Sequence, residues 1–236
     1  MKNVVLAVIG SKGQVSISFA ASLNRTAALA KEKDVYIHFD YIEELTSGMS
    51  TMLQKNLLAN KVLSSNTADG LFFISPNLSW IPEDFFSLVG YEGDGVISGA
   101  YVDSFQMAES YAIALSEDND ERNTLSKADF FSMGFVYIPK KVLQGLTQFV
   151  DQIGAEDDPD KFYLFFKEIV KNNLIFQEDN YFCDIVKNSG FELLVDSRIN
   201  CTNHQAMHLR TNYQDYLQKA WAEKLGEENA QDMTQN

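Results

Sequence analysis

This chain of 236 residues is short of several things. It has two cysteines, Cys183 and Cys201, four prolines and three histidines. Two thiols cannot staple a fold of this size, so stability has to come from a packed core, and a reduced, cytoplasmic setting is expected. No apolar run is long enough to span a bilayer. Val4 to Ile9 follows Lys2 but is short for a signal-peptide core and ends at Gly10-Ser11-Lys12-Gly13, as a strand would. Basic residues are also scarce. There are 19 Lys and Arg against 33 Asp and Glu, a formal net charge of −14. Such a surface repels phosphate backbones, which excludes generic nucleic-acid binding but leaves room for a local basic pocket.

Hydrophobic residues are 45% and charged residues 22%, an ordinary globular balance. Asn3 to Ile9 lacks alternation and predicts a strand buried on both faces. Ser16 to Ala30 predicts a helix, since Phe19, Leu23 and Ala27 share a face. Val35 to Phe39 predicts the next strand, ending at Asp40. Strand, loop, helix, strand is the start of a doubly wound nucleotide-binding unit. Met52 to Leu63 predicts a second helix. Leu71-Phe72-Phe73-Ile74 then reads as a central strand, broken by Ser75-Pro76-Asn77 because proline has no N–H for the ladder. Pro82-Glu83-Asp84 suits a helix start. Further strands are predicted at Asp94–Tyr101, Gly134–Ile138 and Phe191–Val195, with a helix beginning at Pro139. The polar runs Ser116–Asn123 and Gly154–Asp160 read as solvated loops. Tyr213 to Leu225 reads as an amphipathic helix, a candidate surface for homo-oligomers, followed by a polar tail. The division expected is 1–208 for the main domain and 209–236 for that helix and tail.

Two stretches carry motifs. Ala68 to Phe86 runs from the central strand through Ser75-Pro76-Asn77 to Trp80 and Pro82. The second runs from Phe176-Gln177-Glu178-Asp179-Asn180-Tyr181-Phe182-Cys183 through Lys187-Asn188-Ser189-Gly190-Phe191 and Val195-Asp196 to Asn203-His204-Gln205. Together they resemble the GT-A fold glycosyltransferases, especially the family-2-like group. There a strand runs into Asp-x-Asp, and an acidic Glu-Asp pair opens a helix followed by Gly-Phe, a strand, Asp and His. The resemblance spans roughly Val4 to His204. It implies one α/β domain with a mixed, mostly parallel sheet and helices on both faces.

The resemblance also implies a function, transfer of a sugar from a nucleotide-diphospho-sugar to an acceptor hydroxyl with inversion. Asp179 would be the base that takes the acceptor proton, with Glu178 orienting it or contacting the acceptor. Acids in the first turn of a helix are equally favourable as caps. Donor-binding candidates are Asp40, Lys12, Lys55, Asn56, Ser75, Asn77, Trp80 and Gly134. Asp40 is also readable as a turn residue and Trp80 as a buried anchor of the next helix. Ser75-Pro76-Asn77 stands where Asp-x-Asp would be and carries neither Asp. A divalent metal, Mn or Mg, would then rest on Asn77 and His204. An amide oxygen brings no charge, so weak or no metal dependence is expected. Lys12 or Arg210 would hold the diphosphate instead, and loss of transfer activity stays open. The alternative function is a non-catalytic sugar-nucleotide or glycan-binding module on the same fold. A nucleotidyltransferase would need a phosphate-gripping loop after the first strand, of which Lys12 alone is a poor version.

Overall fold

The apolar run after Lys2 is a strand at the middle of a sheet. In the computed structural model, residues 1–9, 15–41, 50–105, 109–111, 113–116, 124–154, 161–171, 173–204 and 208–209 are described. Strand β1 (Lys2–Val8) lies between β2 (Val35–Tyr41) and β3 (Gly70–Ile74) and is parallel to both. That position buries Val4 to Val8 without alternation, as a two-sided strand requires. The crossovers are α1 (Ile17–Ala30) and α2 (Thr51–Ser64). Each starts where a serine hydroxyl accepts a backbone N–H three residues on: Ser16 from Phe19 at 3.0 Å, and Ser50 from Leu53 at 3.3 Å. Such caps contribute about 1 kcal/mol each.

Beyond β3 the sheet becomes mixed. Strand β9 (Phe135–Pro139) is antiparallel to β3 and to β5 (Gly95–Phe105). Strand β14 (Glu192–His204) is parallel to β5, with a bulge between Asp196 and Asn200. Strand β8 (Leu125–Phe131) runs antiparallel to β14, and β7 (Ile113–Leu115) antiparallel to β8. Along the order β2-β1-β3-β9-β5-β14-β8-β7, only β9 and β8 oppose the rest, so the sheet is mixed and mostly parallel in direction. Strand β6 (Glu109–Tyr111) pairs with β5, while β4 (Leu78–Ser79) and β15 (His208–Leu209) pair with β14. Two small hairpins stand apart, β10 (Gln152–Ile153) with β11 (Phe162–Tyr163), and β12 (Ile169–Lys171) with β13 (Leu174–Phe176).

Helices cover both faces. On one, α1 and α3 (Pro82–Val89) bring Phe19 and Phe85 onto Phe72, Trp80 and Phe135. On the other, α2, α4 (Lys140–Leu146) and α5 (Glu178–Asn188) bring Leu58, Val142 and Phe182 onto Phe73. Phe72 and Phe73 serve opposite layers because successive strand side chains alternate. The arrangement is a single α/β domain, a large mixed sheet with helices on both faces. Strand β8 was not anticipated, because polar residues alternate through it. Lys12, Arg210, the segment Tyr213–Leu225 and residues 117–123 and 155–160 of the acidic runs lie outside the described residues. Among the described residues no helix is long and apolar enough to cross a membrane.

Phe72 is fully buried against the rings of Phe85, Phe135 and Tyr137. Phe72→Ala should therefore lower the unfolding free energy by about 3–5 kcal/mol, read by urea denaturation. A loss under about 1 kcal/mol would mean that this layer does not hold the sheet.

Candidate functional site

Helices α2 and α5 meet through their first turns. Thr51 and Lys55 stand one turn apart on α2, so both reach the same side. The Lys55 ammonium lies 2.5 Å from Asp179 Oδ1 and 3.0 Å from Glu178 Oε1. The Thr51 hydroxyl donates to the same Glu178 oxygen at 3.3 Å. The Lys55 side chain is 5% exposed and the two carboxylate side chains 15% each. Helix α5 has no side-chain N-cap hydrogen bond at Gln177, and its two first-turn acids sit at the positive end of the helix dipole. Asp179 reaches further. Its Oδ2 accepts from the Met133 N–H at 3.1 Å and from the Ser132 hydroxyl at 3.3 Å. The start of α5 is thereby fastened to the turn between β8 and β9.

The same turn leads to the loop after β3. The Gly134 carbonyl accepts the Ser75 N–H at 2.8 Å. A Cβ at Gly134 would stand 2.2 Å from the Tyr101 hydroxyl, so the close approach requires glycine. The Pro76 carbonyl accepts the Ser16 N–H at 3.1 Å, which brings the start of α1 against this loop. The Asn77 carbonyl accepts the His204 N–H at 2.8 Å. The His204 Nε2 and the Ser79 hydroxyl are 2.7 Å apart. Hydrogen bonds joined by two short backbone stretches, Met133-Gly134 and Ser75-Pro76-Asn77, thus connect Lys55 and Asp179 to His204. This connection lies where the parallel strand β3 ends at its carboxyl side, the usual place for ligands of open α/β sheets.

Charge in this chain is uneven. Burial alone would raise the Glu178 carboxyl. The charge and hydrogen bond of Lys55, helped by Thr51, outweigh it and hold Glu178 below its ordinary value. No cation pairs with the loop at Ser75 and Asn77 in the contacts above.

Several expected donor residues are placed elsewhere. Trp80 is 3% exposed. Its indole N–H donates to Thr26 at 3.0 Å, and Phe19 meets it edge-on at 5.3 Å. It offers no face to a sugar; it is a buried anchor, with its hydrogen bonds made to α1 and not to the helix that follows it. Asn56 is a brace. Its Oδ1 accepts from the Phe166 N–H at 3.0 Å, and its Nδ2 donates to the Phe166 and Met52 carbonyls at 2.6 and 3.1 Å. One turn on, Asn60 holds Tyr163 in the same way, at 2.9 and 2.8 Å. A fully committed amide is unavailable to a nucleotide, so the donor role for Asn56 is withdrawn. Asp40 lies near the end of β2 and pairs with Lys61 of α2. Ser79, Ser132 and Thr51 were missed, because lone hydroxyls carry no spacing signal.

A divalent cation fits poorly here. Ser75, Asn77 and His204 supply a hydroxyl, an amide and an imidazole already bonded to Ser79, with no anionic oxygen, whereas Mg and Mn favour carboxylates. Among the described residues no group of three or more His, Cys, Asp or Glu stands close enough to hold a metal. No catalytic step is therefore assigned to one.

No protein-family model matches the chain, and no curated protein matches it. Among solved structures it is similar to A197 from STIV, with a TM-score of 0.55 and 16% identity over 90% of this chain and 91% of that one. That likeness is one of fold. Looser likenesses include a Drosophila β-1,4-galactosyltransferase 7 in complex with manganese, UDP-Gal and xylobiose, with a TM-score of 0.47 and 10% identity over 84% of this chain and 66% of that one. Another is the inositol-1-phosphate CTP transferase from T. maritima, with a TM-score of 0.40 and 10% identity over 83% of this chain and 85% of that one.

Removing Lys55 leaves two mostly buried carboxylates against one another. Lys55→Met should therefore destabilise the fold by about 3–5 kcal/mol at pH 7. The sign with pH follows from Glu178. Its folded value is depressed, so its contribution is present above its unfolded value and is lost as pH falls through the folded one. The gap between wild type and Lys55→Met should narrow on acidification, read by urea denaturation at neutral and acidic pH. A gap independent of pH would contradict the ion cluster.

Proposed function

We propose that this protein transfers a sugar from a nucleotide-diphospho-sugar to an acceptor hydroxyl, with inversion and with weak or no dependence on a divalent metal. The observation that supports it best is the chain of contacts joining the Glu178–Asp179 pair to the loop at Ser75 and Asn77. A held carboxylate beside the carboxyl edge of the sheet, where open α/β sheets take their ligands, supports the reading. In this reading the acceptor hydroxyl attacks the anomeric carbon from the side opposite the diphosphate. The new carbon–oxygen bond forms as the bond to the diphosphate breaks, and the nucleoside diphosphate leaves. Asp179 takes the hydroxyl proton, and Glu178 orients the acceptor. The donor phosphates lie over Ser75 and Asn77 near the positive end of α1, with Lys12 as their cation. Asp40 is assigned to the ribose or base, the backbone at Gly134 to the wall beside the sugar, and His204 to bracing Asn77.

A second reading, a sugar-nucleotide or glycan-binding module without turnover, is favoured by one observation. Asp179 already accepts from Lys55, Ser132 and Met133, so both of its oxygens are committed within the protein.

The deciding experiment measures donor turnover and donor binding for the wild type and Asp179→Asn. Loss of about 10²–10⁴-fold in turnover, with donor Kd changed by less than about threefold, is the expected result. Turnover surviving in Asp179→Asn would remove the base from Asp179. Binding without turnover by the wild type, across UDP, GDP and CMP sugars, would establish the binding module.

A further inference from the structure

The sequence resemblance assigns Lys55 to the donor nucleotide. The geometry assigns it elsewhere. Building on the transferase reading, we infer that Lys55 is a positioning residue for the Glu178–Asp179 pair. Its ammonium is the resident cation of that pair, and it makes no contact with the donor phosphates.

Three observations carry this. The ammonium is within 3.0 Å of a carboxylate oxygen from each acid, and the residue as a whole is 4% exposed. It lies 5.8 Å over the Phe166 ring, and Phe166 is itself fixed to α2 through both its backbone groups by Asn56. A diphosphate would have to displace that ring or the carboxylates to reach it. Thr51, one turn earlier on α2, then fixes the Glu178 oxygen that Lys55 touches. Two acids with one buried cation carry one surplus negative charge. The single Lys side chain removes most of their mutual repulsion while leaving one proton-accepting capacity in the pair.

Among the described residues, the groups around the pair are few. Lys55 and Thr51 face the pair from α2, and Ser132 and the Met133 N–H from the β8–β9 turn. On α5 itself, Cys183 has its thiol pushed by burial up to about 12 and stays neutral. Farther along α5, Lys187 pairs with Asp129. In the adjoining segment, Lys167 pairs with Asp151 and lies over the Tyr181 ring. Removing the Lys55 charge takes away the main influence that opposes burial at Glu178, so protonation of Glu178 moves to higher pH.

The test compares wild type, Lys55→Met and Lys55→Met/Glu178→Gln. The double variant removes one charge of each sign and serves where the single one fails to fold. Turnover and donor KM are followed against pH, with and without added ethylammonium. The expected result for Lys55→Met is a fall in kcat of about 10²-fold with donor KM changed by less than about threefold. Its acid limb should move to higher pH, with partial rescue by ethylammonium. A raised donor KM with an unmoved acid limb would make Lys55 a donor ligand and overturn the inference. A fall in kcat with no pH movement and no amine rescue would reduce Lys55 to a structural brace and overturn it too. If the wild type turns over no donor, the transferase reading fails by itself. The inference is then read from the ¹³C titration of the Glu178 carboxyl. A higher midpoint in Lys55→Met, lowered again by ethylammonium, supports it, and an unmoved midpoint overturns it.

Discussion

The contact on which the rest depends is the ion cluster of Lys55, Glu178 and Asp179. Exposed ion pairs contribute at most about 1 kcal/mol. This one is largely out of water, where the balance is different. Desolvating three charges consumes most of what their attraction returns, so making the cluster stabilises little. Leaving one member unpaired is strongly unfavourable. The cluster thus acts as a constraint on geometry. It fixes the register of α5 against α2, and so fixes where the Asp179 carboxylate meets the β8–β9 turn. That turn in turn holds the loop after β3 through Gly134 and Ser75.

A division of labour along the sheet edge follows. One end holds the negative charge with its own cation, buried beneath Phe166. The other end, from Ser75 to His204, is made of neutral donors and acceptors tied into backbone contacts. A neutral end suits a ligand that brings its own charge and meets the start of α1. It does not suit a bare divalent ion. The opposite arrangement, with carboxylates after β3, would have called for a metal to neutralise the diphosphate.

Much of the frame was legible in the residues. Unalternating Val4–Val8 and Leu71–Ile74 announced two-sided strands, and Ser16 announced the start of α1. The resemblance joined Asn77 and His204 as metal ligands, whereas what joins them in the fold is a backbone hydrogen bond, which no side-chain motif announces. Legibility failed where pairing is long-range and carries no period. Lys55 read as a nucleotide contact because nothing local tells a lysine which of two anions it faces. Asn56 and Asn60 sit one turn apart on α2 and brace a segment about a hundred residues on, which only the folded chain reveals. Trp80 offered both a sugar platform and an anchor. Its position beside α1, with Thr26 and Ser22 ready to take its N–H groups, decided for the anchor. Strand β8 escaped because its inward side alternates with Lys127 and Asp129.

The central claim is a donor pocket at the carboxyl edge of the sheet that does not need a metal. It is tested most directly by thermal unfolding with UDP, GDP, CMP and their sugar conjugates, each with manganese and with EDTA. The account predicts that one nucleotide stabilises the protein equally in both, by about 2.7 kcal/mol at a hundred times its Kd, or on the order of 5–10 °C for a chain of this size. Stabilisation that appears only with manganese, or none with any nucleotide, would contradict it.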